Sequence, residues 1–162
     1  MKAEKVSKVM TKKPTYCSPR TSLHDVARMM RDADCGAIPV VGEDTFPIGM
    51  ITDRDIVLRS VALGKDPASM IAGDCMSAPA ITITEDADLD DCIEALELAQ
   101  IRRVIIVDRK GRTTGIIAQA DIASYASKKE TGALLRAVSK PEPKPRAAPE
   151  ASADGAKPTL KG

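Results

Sequence analysis

Met10 and Met76, Leu23 and Leu89, Gly49 and Gly115, and Asp55 and Asp121 are each separated by 66 positions, and one offset serves the whole register. VMTKKPTYCSPRTSLHDVARMMRDADCGAIPVVGEDTFPIGMITDRDI lies over CMSAPAITITEDADLDDCIEALELAQIRRVIIVDRKGRTTGIIAQADI without a gap. A fixed internal period means one supersecondary unit used more than once, with a core completed only when the copies pack together. A unit of about 50 residues buries too little surface to be stable alone, so two packed copies are the expected minimum.

Each copy carries the same succession of local signals. A short Thr-containing apolar piece, Thr15 to Cys17 or Ile81 to Ile83, is compatible with a strand. A helix start follows, with Ser22 and Asp25 or Asp88 and Asp91 spaced as capping boxes. Leu23, Val26, Ala27 and Met30 then recur at helical spacing, as do Leu89, Cys92, Ile93 and Leu96. Two β-branched runs come next, AIPVV with IGMIT and RVIIV with TGIIA, joined by linkers containing Gly42 or Gly111, and they read as hairpins. A second helix starts near Asp53 or Gln119, with Ile56, Val57 and Val61, or Ile122 and Tyr125, expected on its inner side. The fold class is therefore α/β (α+β): two β-α-β-β-α units packed with pseudo-twofold symmetry.

The expected boundaries are 6–62 for the first unit, 63–71 for a linker with Gly64 as helix stop, and 72–126 for the second unit. Residues 127–162, rich in Pro, Ala and Lys, are expected to be a disordered tail. A short helix over 133–138 is the one exception the pattern allows, and Gly132 argues against it.

Composition narrows the function classes. The net charge is +1, with no Trp, one Phe and two Tyr, which argues against nucleic acid as a partner, through either global attraction or base stacking. The stretch from Ser127 onward holds eight basic and four acidic residues against sixteen and nineteen in the rest, so a basic tail follows a slightly acidic body. Cys17, Cys35, Cys75 and Cys92 lack CxxC spacing and sit apart from His24, so no metal site is expected. No apolar run suits a signal peptide or a membrane span, and four free thiols in a reducing cytoplasm are the expectation. No nucleophile with a base in reach, no Walker loop and no GxGxxG is present, and His24 reads as a surface residue; an enzyme is not expected.

VMT near the start, GAIPVV at the second strand and GMITDRDI closing the first copy resemble the tandem CBS-domain pair, or Bateman module. The likeness covers residues 6–126, and GMITDRDIV followed by LGKDP is similar to the stand-alone bacterial proteins of the hypoxic-response protein type. The resemblance implies two clefts between the sheets, adenosine ligands (AMP, ADP, ATP or S-adenosylmethionine), no required cofactor, and a homodimer acting on a regulated protein.

In that family the closing Gly-apolar-x-Thr-x-x-Asp stretch holds ribose and phosphate, which carries over to Gly49, Met50, Thr52 and Asp55. The chemistry is apt, since a carboxylate such as Asp55 accepts two hydrogen bonds from ribose hydroxyls and Thr52 stands at a helix N-terminus suited to phosphate. The family's basic pair carries over to Arg102 and Arg103, whose guanidinium groups fit phosphate oxygens bidentately. Met50, Tyr16, Cys17 and Ile105 are candidates for the walls around adenine. In the second cleft Asp121 keeps the carboxylate, but Ala118 replaces Thr, and Gly36 and Ala37, followed by Pro39, stand where the Arg pair would be. One competent site and one weaker site are therefore expected. The competing reading for Thr52 and Asp55 is an ordinary helix cap, and for the chain as a whole a ligand-independent interaction or assembly module.

Overall fold

The computed structural model describes residues 4–141. The elements in chain order are α1 (Val6–Val9), β1 (Thr11–Lys12), α2 (Leu23–Asp32), β2 (Ala37–Val41), β3 (Pro47–Thr52) and α3 (Asp53–Arg59), then α4 (Ala72–Cys75), β4 (Thr82–Thr84), α5 (Leu89–Ala99), β5 (Arg103–Val107), β6 (Thr113–Ala118), α6 (Gln119–Ala123) and α7 (Lys128–Val138). The first six of the second series repeat the first at the offset of 66 wherever a regular element forms in both.

The duplication extends to strand register. Ala37 pairs with Thr52 and Ile38 with Ile51, as Arg103 pairs with Ala118 and Val104 with Ile117; both hairpins are irregular at the same place, Val40/Val41 and Ile106/Val107. The four-stranded sheet runs β1-β6-β5-β4. The β2-β3 hairpin is flanked by single bridges in the corresponding places, Cys17 parallel to Val40 and Ser77 antiparallel to Met50. The strand expected over Thr15 to Cys17 thus shrinks to one bridge, while its twin is β4.

The opening segment of each unit is exchanged. β1 pairs with β6 of the second unit, and Val6, Val9 and Met10 are buried with Leu89, Cys92, Leu96, Val104, Ile106, Ile117 and Ile122. Ala72 and Cys75 are instead buried with Leu23, Val26, Ile38, Val40 and Ile51 of the first unit. Boundaries of the repeat at residues 6 and 72 are therefore not boundaries of packing. Gly49 and Gly115 permit the exchange: a Cβ on Gly49 would lie 2.5 Å from the Ser77 carbonyl oxygen, and one on Gly115 3.1 Å from that of Thr11. Backbone can come this close only where no side chain stands between.

Alternation along the strands gives each sheet two faces. Ile38, Val40, Val104 and Ile106 point to the helices. Ala37, Val41, Ile105 and Val107 point the other way and are equally buried, which requires the two sheets to cover each other there. The hairpin tips also meet, since a Cβ on Gly111 would touch the Phe46 ring at 3.0 Å.

Three expectations are corrected. Residues 128–138, assigned to a disordered tail, form α7, whose Leu134 and Val138 are 1% and 4% exposed in the second core. Burial outweighs the cost of Gly132, and Ser127 with Glu130 closes a reciprocal cap at 2.8 and 3.3 Å. The rest of the expected tail, 142–162, lies outside the described residues. Asp88 makes no side-chain cap for α5; its carboxylate is drawn to Lys5 at 2.8 Å, which the exchanged N-terminal segment brings alongside. Val57, Val61 and Tyr125 face outward rather than inward. The fully buried Ser60 ends α3 by donating its hydroxyl to the Ile56 carbonyl at 2.6 Å, so Val61 falls in a 3-10 turn of different rotation, and Tyr125 lies beyond the end of α6.

Candidate ligand-binding site

Thr52 ends β3 and caps α3. Its hydroxyl accepts from the Asp55 N–H at 3.0 Å and donates to Asp55 Oδ2 at 2.8 Å, while Oδ2 also accepts from the Thr52 N–H at 2.9 Å. One carboxylate oxygen is thereby committed to the cap. Oδ1 accepts no hydrogen bond among the described residues; its nearest cation is Arg59 Nη1 at 3.6 Å, and the carboxylate side chain is only 16% exposed. Asp55 is partly exposed, and beside its ion pair with Arg59 that oxygen retains acceptor capacity for a hydrogen bond. The Thr52 hydroxyl proton, expected to point at a phosphate, is instead held by Asp55.

Arg59, which no sequence motif marks, joins the site through tertiary contacts. Its Nη1 donates to the carbonyls of Cys75 and Met76 at 2.7 and 2.9 Å, tying the end of α3 to the segment exchanged from the second unit. The i, i+4 spacing of Asp55 and Arg59 was the available signal.

In the second unit Asp121 Oδ2 accepts from the Ala118 N–H at 2.8 Å, half the cap of the first unit, because Ala118 has no hydroxyl. Arg103 opens β5 directly opposite Ala118 and is half-buried, while Arg102 is exposed and its carbonyl accepts from the Gln119 N–H at 2.9 Å. Gln119 Oε1 is buried without a partner among the described residues. Ala37 stands opposite Thr52 and Pro39 opposite Met50.

Strand alternation therefore gathers Met50, Thr52, Ala37 and Pro39 on the inter-sheet face of one unit, and Arg103, Ile105 and Ala118 on that of the other. Met50 and Arg103 are half-buried there, Ile105 is 1% exposed, and Tyr16 is exposed at 44%. Cys17 is different: its side chain lies in the helix-side core with Leu23, Val26 and Ile38, and burial pushes its thiol up to about 11. Its backbone is occupied as well, donating to Pro39 and accepting from Val41, so Cys17 is not a wall of the cleft. Burial likewise pushes the Cys92 thiol up to about 12. Among the described residues no three His, Cys, Asp or Glu side chains are grouped to hold a metal, and no helix is long and apolar enough to cross a membrane.

Comparison with known proteins fits this architecture. An uncharacterized protein of Methanopyrus kandleri is 36% identical over 122 residues, 75% of this chain; the chain spans 62% of that relative. YlbB of Bacillus subtilis is 34% identical, with 83% of this chain and 91% of the relative covered. Hypoxic response protein 1 of Mycobacterium tuberculosis is 31% identical, with 82% and 92% covered. The crystal structure of hypoxic response protein I, which has two coordinated zinc ions, matches with a TM-score of 0.69 at 32% identity, covering 76% of this chain and all of that one. The CBS domain pair of protein MJ0100, in complex with 5'-methylthioadenosine and S-adenosyl-L-methionine, matches at a TM-score of 0.68, 24% identity, and 75% and 94% coverage. CBSX2 in complex with AMP matches at 0.63, 20% identity, and 74% and 93% coverage. The CBS-domain profile matches residues 6–61 and again 72–128; with the register, the exchanged openings and the sheet-to-sheet burial all repeated at one offset, the chain belongs to the CBS-domain family, as a tandem pair.

Proposed function

We propose that this CBS pair is a regulatory module that binds an adenosine compound, AMP, ADP, ATP or S-adenosylmethionine, in the cleft between its sheets and performs no catalysis. The observation that carries the reading is Asp55 Oδ1, which is ion-paired with Arg59 at 3.6 Å but accepts no hydrogen bond among the described residues, and so can accept from the paired hydroxyls of a ribose. Arg103, half-buried on the facing sheet, supplies charge for a phosphate, with Arg102 beside it; Met50 and Ile105 supply apolar surface, and Tyr16 the rim. The second cleft, with Asp121, Ala37 and Pro39, lacks the hydroxyl and the Arg pair and is the weaker. The ligands seen with the MJ0100 pair and CBSX2 are of the proposed class.

A non-catalytic role agrees with thiols held protonated by burial, which makes them poor nucleophiles. It also agrees with a single histidine whose side chain is 71% exposed. Binding favours the arrangement that brings the Thr52–Asp55 motif and the Arg pair together, and it shifts that equilibrium only by the ligand's differential affinity. A homodimer in the cytoplasm presents the shift to a regulated protein.

A specific observation favours a second reading. Thr52 and Asp55 satisfy each other as a cap, so a ligand-independent assembly module would need the same residues. Thermal-shift titration with AMP, ADP, ATP and S-adenosylmethionine separates the two. Ligand at 100 times its dissociation constant adds about 2.7 kcal/mol, a shift of several degrees, and Asp55→Ala abolishes the ligand-dependent increment. No increment with any of the four compounds refutes ligand binding and leaves the assembly reading.

A further inference from the structure

The two closing carboxylates, Asp55 and Asp121, stand in different surroundings. Each gives one oxygen to the backbone N–H that opens its helix, that of Thr52 for Asp55 and that of Ala118 for Asp121, at 2.9 and 2.8 Å. Four residues on, the copies part: Arg59 follows Asp55, and Tyr125 follows Asp121. Arg59 stands 3.6 Å from Asp55 Oδ1. Tyr125 is 54% exposed, and no cation pairs with Asp121 among the described residues.

Arg59 does more than pair with Asp55. Its Nη1 carries two hydrogens, and the carbonyls of Cys75 and Met76 take both, at 2.7 and 2.9 Å. Oδ1 therefore feels the guanidinium charge at 3.6 Å without receiving a hydrogen bond from it, and its lone pairs stay open to another donor. A guanidinium fixed at two carbonyls cannot follow a turning carboxylate as a free side chain would, so its charge favours one orientation of Oδ1 in advance of binding. The clamped carbonyls lie just before Ser77, which exchanges both backbone hydrogen bonds with Met50, at 3.0 and 2.8 Å. One side chain thus anchors three parts of the first cleft: the open oxygen of Asp55, the crossing segment of the second unit and, through Ser77, the strand position of Met50. In the second unit the equivalent carbonyls, those of Val9 and Met10, receive no side-chain donor among the described residues.

We infer that Arg59 is the positioning residue of the first cleft: clamped on the segment from the second unit, it holds Asp55 Oδ1 in the orientation that accepts the paired hydroxyls of a ribose, and so makes this cleft, rather than the second, selective for the sugar. This rests on the adenosine reading above and names the residue that sets its ribose specificity. Arg59 itself contacts no ligand and acts through Asp55.

Isothermal titration of the full chain with AMP and with 2′,3′-dideoxy-AMP, which lacks both hydroxyls, tests it. The unaltered chain binds AMP more tightly than the dideoxy nucleotide by roughly tenfold or more, as loss of hydrogen bonds to a charged acceptor requires. Arg59→Ala brings that ratio to about threefold or less by weakening AMP, while the dideoxy affinity changes by less than about twofold. Arg59→Lys, which keeps the cation, returns most of the ratio, and circular dichroism shows each variant folded at the titration temperature. An undiminished ratio in Arg59→Ala, or an equal loss with both nucleotides, overturns the positioning role and leaves the adenosine reading in place. Equal affinity of the unaltered chain for the two nucleotides overturns the pairing of ribose with Asp55, and absence of binding overturns the nucleotide reading; either result takes the positioning role with it.

Discussion

Replacing Leu134 by Ala tests whether α7 is part of the second core or an appendage. The side chain is 1% exposed and belongs to the cluster containing Leu96, Ile122 and Val138, so truncation removes buried carbons and leaves a void that the helix cannot close without losing its own contacts. Large-to-small changes of this kind cost about 2–4 kcal/mol, the transfer and cavity contributions together. For a domain of this size each kcal/mol lowers the thermal midpoint by roughly 3 °C, so a drop of about 6–12 °C is expected. Leu135→Ala is the internal control, because the neighbouring side chain is 45% exposed and its loss should cost no more than about 0.5 kcal/mol. Urea unfolding followed by circular dichroism gives both values under one protocol. Equal, small effects of the two substitutions would refute the docking of α7 and return residues 128–138 to the tail.

Ala118→Thr should restore the missing hydroxyl of the second cap, where Asp121 already holds the Ala118 N–H, and stabilise the fold by roughly 0.5–1 kcal/mol in urea unfolding; a loss of stability would show that the site has no room for it. Arg59→Ala removes two hydrogen bonds to the Cys75 and Met76 carbonyls and should cost about 1–2 kcal/mol, the lower part of the charged range because the side chain is 46% exposed. Iodoacetamide labelling of the folded protein should modify Cys35, the half-buried thiol, well before Cys17, Cys75 and Cys92, which are buried; equal rates at all four would contradict the packing. Burial raises the folded-state values of Cys17 and Cys92 to about 11 and about 12 from 9.0, so their contribution is complete below pH 9 and is lost as pH climbs toward those values. Each thiol then removes roughly 1 kcal/mol per pH unit just above 9, and Cys92→Ala should flatten the alkaline slope of the urea midpoint measured between pH 8 and 10.

The sequence by itself determined the duplication, the order of strands and helices within each unit, and the closing motif with Met50, Thr52 and Asp55, because periodicity, caps and a fixed offset are local or self-referential signals. It also held the signature of α7, Ser127 and Glu130 at capping-box spacing with Leu134 and Val138 one turn apart, although the Pro- and Lys-rich surroundings and Gly132 pointed elsewhere. Only the tertiary structure decided the exchange of the opening segments, since Thr11 and Ser77 carry no mark of which sheet edge they will join. Contacts likewise decided that Cys17 faces the helices, that Asp88 pairs with Lys5 instead of capping, and that Arg59 clamps the second segment to the first. The difference between the two helix faces is the plainest case: nearly the same pattern is written twice, but among the described residues one face receives a helix from further along the chain and the other does not, and burial follows from what arrives to cover a surface as much as from the residues on it.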